Sequence, residues 1–542
     1  MLTLQCTSIV LAEATVGPTE VLGPFTGEGA PLHPDNLSPH RIEYYGTDLG
    51  WSYEHGGQLH FLFGDTMATE AKAEPIEASS GEEYDDCFGT VDLEKWADPD
   101  RITRESIPLL KLGQNPGTSE ASAINPGHPL GLFKTPMGAF SSGRREFAVF
   151  FTAKPLGCRT DDDCVNGLSC DTGLGYVGER FDNEDGLTLA CIEGTSEYCN
   201  ADTMTDAEGR PIENSGLCTD RSSSMWGATG TGRTNSMAYK VLIGMRSTEN
   251  PGRYTDTREW YTNKFYNLAV RTVERFEPSA GTSHSHQNYN PARGSGGNQR
   301  VLLWGRPGFV GVGKKGMSLG LYFAYVDLPR DGGFSWHVHY YTGVDENGVP
   351  QFSTKESAAV PVDLNATVAG EQRDAEYDIV DQNTFAWVDH LKKWIMFFGG
   401  GVSTLPIEPT LTKCGLIELF SGPDCAAVDL GNGAIRMRSA DNPWGPWSPA
   451  QDVVVGGDPS ARPLEGHYRP GGMLRHPECS VKGCAPHTDT EIYSLEKEYG
   501  FFYGPNIIES WVKPAGDGVD VVWNLSTWDP YRVILLRTRI NP

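Results

Sequence analysis

Two aspartates stand 17 residues apart near the start of the chain, Asp48 in GTDLG and Asp65 in FGDT. The stretch that holds them, residues 44–66, sets two apolar runs on either side of a polar, glycine-rich turn. Residues 44–45 and 59–63 have the aromatic content of buried strands, and Gly56-Gly57 supplies the turn between strands. This pattern predicts both carboxylates at strand ends, where neighbouring strands can bring them to one end of a sheet. A carboxylate pair at one mouth suits cleavage of a glycosidic bond. One group protonates the leaving oxygen while the other activates water or attacks the anomeric carbon. The two carboxyl groups would then lie roughly 5–5.5 Å apart in a retaining enzyme and roughly 6.5–9.5 Å apart in an inverting one. Adjacent carboxyls also push each other's pKa values apart, which keeps one protonated near neutral pH. Which aspartate is the acid stays open. The alternative is that each bonds the backbone of its own turn.

Other side chains can be weighed in the same way. Arg246 in GMRS, Arg306 in LLWGRP and His487 in CAPHTD could line a cleft and hold sugar hydroxyls, or the arginines could pair with internal carboxylates. Trp51, Tyr53 and Trp528 could stack against sugar rings, or lie buried between sheets. His284 and His286 resemble a metal tract only faintly, and residues 161–163 lack the glycine that a calcium loop needs, so no metal and no cofactor is expected.

These residues must be positioned by strands. Gly 64, Pro 36 and 10% aromatic content suit many short strands joined by tight turns, and 38% hydrophobic content is enough for a core. A formal net charge of −27 argues against a nucleic-acid groove or an anionic membrane as partner, and no apolar run has the length of a membrane span. The expected partner is a polysaccharide, bound by a monomer. Strand pairs recur over 139–152, 236–247, 301–307, 319–328, 384–398 and the C-terminal third, while helical periodicity is nearly absent. The best helical candidate is residues 263–275. Hairpins ending in aromatics bury well as four-stranded sheets arranged radially, and their number predicts an all-β, five-bladed β-propeller over residues 36–542. A strand at about 533–538 could pair with the opening segment to close the ring. Residues 1–35 read as a lead-in, and a two-sheet sandwich with added domains is the alternative.

The twelve cysteines include six between Cys158 and Cys218 and the close pairs Cys414/Cys425 and Cys479/Cys484. No Cys-x-x-Cys spacing suits zinc, so disulfides and an oxidising compartment are expected. Cys479 and Cys484 are near enough in sequence to bond each other. Residues 156–222 interrupt the strand pattern and read as a disulfide-stapled loop insertion in a secreted, cell-surface or periplasmic protein. That localisation rests on the cysteines, since the N-terminus lacks a basic leader region.

The segment SADNPWGPWS, 439–448, is close to the Asp-box of sialidase-like propellers, which gives Asp441 a structural role. In order, GTDLG, FLFGDT, TFAWVDHLKKWIMFF, NPWGPWSPA, FFYGPNII and LSTWDPYRVILLRT resemble the bacterial family called domain of unknown function 4185, part of which is glycoside hydrolase family 183. The resemblance implies a five-bladed propeller and, by its characterised members, hydrolysis of D-arabinofuranose polymers such as mycobacterial arabinan. It places the family's paired aspartates at Asp48 and Asp65. Furanosidase propellers of this shape commonly use a third carboxyl, for which Asp381 in VDQNTFAW is the candidate, with a turn aspartate as the alternative. Two other readings stay open. A propeller polysaccharide lyase would use Tyr340 and His339 as base and acid with Arg306 neutralising a uronate. A non-catalytic carbohydrate-binding propeller would need no acid pair.

Overall fold

The computed structural model describes residues 13–27, 29–31, 33–34, 46–64, 66–69, 72–75, 86–113, 124, 135–158, 160–171, 216–219, 238–249, 252–274, 299–306, 321–328, 336–364, 382–400, 434–455, 501–528 and 532–542. Five antiparallel sheets stand around one axis. From the axis outward, the first blade is Leu49–His55, Gln58–Phe63, Cys87–Asp92 and Lys111–Leu112. The second is Pro136–Ser142, Arg145–Pro155, Tyr239–Arg246 and Tyr254–Thr262. The third has five strands, Asn267–Glu274, Gln299–Arg306, Tyr322–Leu328, Val338–Val344 and Pro350–Ser353. The fourth is Asn383–Val388, Lys393–Gly400, Ala434–Ala440 and Gln451–Val455. The fifth runs Phe501–Ala515, Gly518–Trp528 and Arg532–Asn541, and Thr15–Pro24 completes its outer edge. The chain is a five-bladed β-propeller.

Each blade is covered on both faces, which is why its inner strands read as continuous apolar runs instead of alternating ones. Asn383–Val388 is buried at every position. Among the described residues the five largest apolar clusters lie one at each junction between neighbouring blades. Between the third and fourth blades, Trp304 stacks on Phe385 at 4.1 Å between centroids, and Trp444 stacks on Tyr341. That packing fulfils the aromatic half of the Asp-box reading. Asp441 accepts a bond from Lys393 Nζ at 2.7 Å, and the turn is tied by Ser448, whose Oγ accepts from Ser439 N.

Some expectations change. The best helical candidate, 263–275, contains the innermost strand Asn267–Glu274; among the described residues only short 3-10 turns break the sheet. A strand buried on both faces carries apolar residues at spacings that imitate one face of a helix. The lead-in also holds a blade strand. Thr15–Pro24 pairs antiparallel with Arg532–Asn541, Thr19 opposite Thr538, so the two ends of the chain close the ring as the pairing of 533–538 suggested. In the first blade Leu49–His55 is the strand that leads into the Gly56-Gly57 turn and pairs with Gln58–Phe63, and residues 44–45 lie outside the described residues.

Among its described residues the insertion carries two disulfides, Cys158–Cys170 and Cys164–Cys218, and a small sheet of Gly157–Cys158, Gly216–Thr219 and Ser169–Asp171; Cys191 and Cys199 lie outside them. It is seated on the propeller. Asn166 Nδ2 donates to Tyr261 O and to Glu356 Oε2, both at 2.9 Å. Glu356 is fully buried and also accepts from Thr262 Oγ1 and from the backbone N–H groups of Asn263 and Lys264. Cys414, Cys425, Cys479 and Cys484 lie outside the described residues.

Candidate active site at one mouth of the propeller axis

The innermost strands run side by side in one direction, so their first residues gather at a single mouth. Bonds between the first and fifth blades fix the alignment: Tyr503 meets Asp48, Asn506 meets Gly50 and Ser52, and Ser510 meets Glu54. Asp48 therefore opens the innermost strand of the first blade at this mouth.

Its backbone is bent to suit. Leu49 and Gly50, the next two residues, take left-handed φ angles of 63° and 88°. The first costs about 1–2 kcal/mol for a residue with a side chain, and the fifth blade holds it in place. Leu49 N donates to Ser526 Oγ at 2.6 Å, and Leu49 O accepts from Asn524 Nδ2 at 2.7 Å. Asn506 Nδ2 donates to Gly50 O and to Ser52 Oγ, both at 3.0 Å. This buried amide layer fastens the corner that carries Asp48.

Asp48 is 6% exposed. Its Oδ2 accepts from Tyr503 OH at 2.5 Å, within the short range of a hydroxyl bonded to an ionised oxygen. Its Oδ1 lies over Gly64, where any Cβ would collide with it. Gly64 N donates to Asp48 O, and the hydroxyls of Thr47 and Thr66 lie 2.8 Å from each other and from Gly64 O. The residue before Asp48 and the residue after Asp65 are thus hydrogen-bonded. Register carries the row on to Asp86, which is 2% exposed and precedes Cys87, the partner of Phe63. Burial pushes the Cys87 thiol up to about 12, with Asp86 and Asp48 adding to the effect, so it stays neutral.

Gln382, at the start of the fourth blade, also belongs here: Gly504, next to Tyr503, faces its side chain, Leu49 and Ser526. Arg306 pairs with Asn267 at the start of the third blade, on the same end of the axis, and is 1% exposed.

The opposite end holds a cavity of about 440 Å³ whose lining is mixed, with Ser52, Glu54, Arg271 and Glu509 beside Phe140 and Val270. Arg271 spans three blades there, donating to Phe385 O, to Thr384 Oγ1 at 2.7 Å and to Ile507 O at 3.1 Å, with Glu509 at 3.6 Å. The Glu509 side chain is 45% exposed and lines this cavity. Burial pushes its carboxyl up, Arg271 opposes this and Glu54 adds to it.

Comparison with known proteins adds little at the sequence level: no family model matches, and no curated protein matches. Solved structures do match. A protein from Bacteroides ovatus ATCC 8483 aligns with TM-score 0.36 and 9% identity over 92% of this chain and 86% of its own. A GH43 β-xylosidase/α-arabinofuranosidase from a compost microbial metagenome aligns with TM-score 0.33 and 8% identity over 96% and 94%. A GH43 enzyme from Xanthomonas citri aligns with TM-score 0.32 and 9% identity over 92% and 88%. At these identities and scores the likeness assigns neither an activity nor a substrate to this chain.

The structure separates the residues that the sequence grouped. Asp48 and Arg306 share the mouth. The backbone of Trp528 pairs with Phe501 there, and its side chain lies outside the described part, as do Asp65, Asp381 and His487. Arg246 lies at the other end, where Met245 pairs with Phe147 beside Glu146. It is 8% exposed and donates from Nη1 to Glu146 Oε2 at 2.8 Å, so it packs the junction of the first two blades and offers nothing to a sugar. Trp51 is buried with Leu49 and Tyr503, and Tyr53 donates to Glu146 at 2.6 Å, so both are packing residues and not stacking platforms. Tyr340 of the lyase reading is buried against Trp260 and Glu356. Sequence reasoning missed Tyr503, Asn506, Asn524 and Ser526. The only signal was that Tyr503 and Asn506 fall inside FFYGPNII and Ser526 inside LSTWDPY, motifs noted for resemblance and not for chemistry, with Asn524 just before the second.

Proposed function

We propose that this protein is a glycoside hydrolase that cleaves arabinofuranose-containing polysaccharide, of the D-arabinan type, with Asp48 and Asp65 as its carboxylate pair. The observation that carries the reading is the setting of Asp48. A buried carboxylate opens the innermost strand at the axial mouth, on a strained corner braced by a neighbouring blade, with Thr66 bonded back to Thr47. A turn aspartate needs no such bracing, whereas a catalytic carboxylate must be held to within a fraction of an ångström. The substrate class is supported by the resemblance of GTDLG, FGDT and STWDPY to the arabinanase family. The burial of Tyr340 speaks against the lyase reading.

During hydrolysis one carboxyl protonates the glycosidic oxygen as the bond to the anomeric carbon breaks, and the other takes a proton from water or bonds the anomeric carbon first. The test is incubation with a panel of D-arabinans, L-arabinans and galactans, with product analysis. Oligosaccharides with new reducing ends are expected from arabinan. Asp48→Asn and Asp65→Asn are each expected to lower turnover by orders of magnitude with an unchanged melting temperature. Full turnover in Asp48→Asn, or products carrying the absorbance of an unsaturated uronate, would overturn the reading.

A further inference from the structure

We propose that Tyr503 is a positioning residue that keeps Asp48 ionised, which makes Asp48 the base or nucleophile of the pair and not its acid. This rests on the reading of Asp48 as catalytic. The argument starts from what surrounds the carboxylate. Cys87 opens the third strand of the first blade as a buried neutral thiol, directly after the buried acid Asp86, and feels the charge of both Asp48 and Asp86. Burial favours a protonated Asp48. Gln382, near Tyr503 on the fourth blade, does not titrate. Against burial stands the Tyr503 hydroxyl, which donates to Oδ2 at 2.5 Å. A hydrogen bond made to the charged form favours that form, and more strongly in a buried setting.

The geometry of the bond is imposed. Tyr503 is itself buried, faces Ser526 in its sheet, and is followed by Gly504 at a φ of 57°, where Leu49 and Gln382 approach closely. The phenol thus comes from the fifth blade and the carboxylate from the first, each fixed by its own sheet. An ionised Asp48 cannot give a proton to the leaving oxygen. It accepts the proton of water as the oxygen of that water bonds the anomeric carbon, or bonds that carbon itself before water replaces it. The glycosidic bond breaks in the same step, and its oxygen takes the proton of the other carboxyl.

Two replacements at one position test this. Tyr503→Phe removes the donor; 3-fluorotyrosine at 503 keeps the shape and makes the phenol a stronger donor. The readouts are the acid limb of the kcat/KM profile on arabinan and the Asp48 carboxyl titration, followed by NMR in protein labelled at aspartate Cγ and assigned by loss in Asp48→Asn. With Tyr503→Phe the limb and the titration should both rise by about one pH unit, with kcat/KM falling up to about tenfold at pH values well below the limb, unchanged at pH values well above it, and KM little changed. With 3-fluorotyrosine both should move down. A structural role alone would leave the limb where it is in the fluorinated protein. If neither readout moves in either protein, the assignment is overturned. If the wild-type protein cleaves no glycan the functional reading fails, while the NMR titration still decides whether Tyr503 holds Asp48 ionised.

Discussion

Acid should loosen the junction between the first and second blades through one residue, His60. It is 9% exposed, stacked on Tyr53 at 5.0 Å between ring centroids, with Nδ1 2.8 Å from Arg246 Nη1. A guanidinium only donates, so Nδ1 must accept and the ring must be neutral. Protonation would remove the acceptor and set two cations side by side. Burial lowers the His60 pKa, the Glu146 carboxylate raises it and Arg246 lowers it again, leaving it at about 4 against an ordinary 6.5. The unfolded chain therefore takes up this proton first as pH falls. Its contribution to stability is complete above pH 6.5 and is lost as pH drops from there through 4. At about 1.4 kcal/mol per unit, a gap of about 2.5 units amounts to about 3 kcal/mol. Glu146 lies lower: burial raises its carboxyl, Arg246 and His60 outweigh this, and its own contribution is lost only below the ordinary carboxylate range. Urea midpoints measured at pH 7.5, 5.5 and 4.5 for the wild type and His60→Gln isolate the effect, because glutamine keeps an acceptor and does not titrate. The wild type should lose stability more steeply than the variant, by about 3 kcal/mol over the range. Parallel declines would refute the argument.

Gly64→Ala should lower turnover at least tenfold and stability by about 1–3 kcal/mol, because a Cβ there meets Asp48 Oδ1 and Leu49 Cδ1; wild-type turnover would show that the carboxylate can sit elsewhere. Glu356→Ala should cost about 3 kcal/mol or more, since it leaves the Thr262 hydroxyl, two backbone N–H groups and the Asn166 amide without their acceptor. Limited proteolysis should then cut near residues 160–171 faster than in the wild type, and an unchanged rate would show that the insertion is held by other contacts.

Much of the architecture was legible because it is local. The turn at Gly56-Gly57, the run Gln58–Phe63 and the hairpin around 389–392 follow from glycine conformations and β-rich apolar segments a few residues long. Radial packing follows from having so many such hairpins to cover. Where the reading went astray, local sequence was ambiguous. Leu49–His55 holds Ser52, Glu54 and His55 and so resembles a turn, yet its apolar members are buried against the neighbouring blades. Asn267–Glu274 is buried on both faces and loses the alternation that marks a strand.

The candidate site divides along the same line. The sequence by itself determined that Asp48 stands at a glycine-flanked corner, since acid, glycine and flanking runs are neighbours in the chain. It could not determine what holds that acid. Tyr503 is 455 residues away from Asp48, and Asn524 is 475 residues from Leu49. They meet only because Thr15–Pro24 pairs with Arg532–Asn541 and brings the fifth blade against the first. The two arginines show the same dependence on tertiary structure. Both end blade strands in similar sequence, GMR and WGR, but Arg246 ends a third strand and Arg306 a second. Successive strands of a blade run in opposite directions, so one guanidinium lies at the mouth with Asp48 and the other at the far end, locked to Glu146.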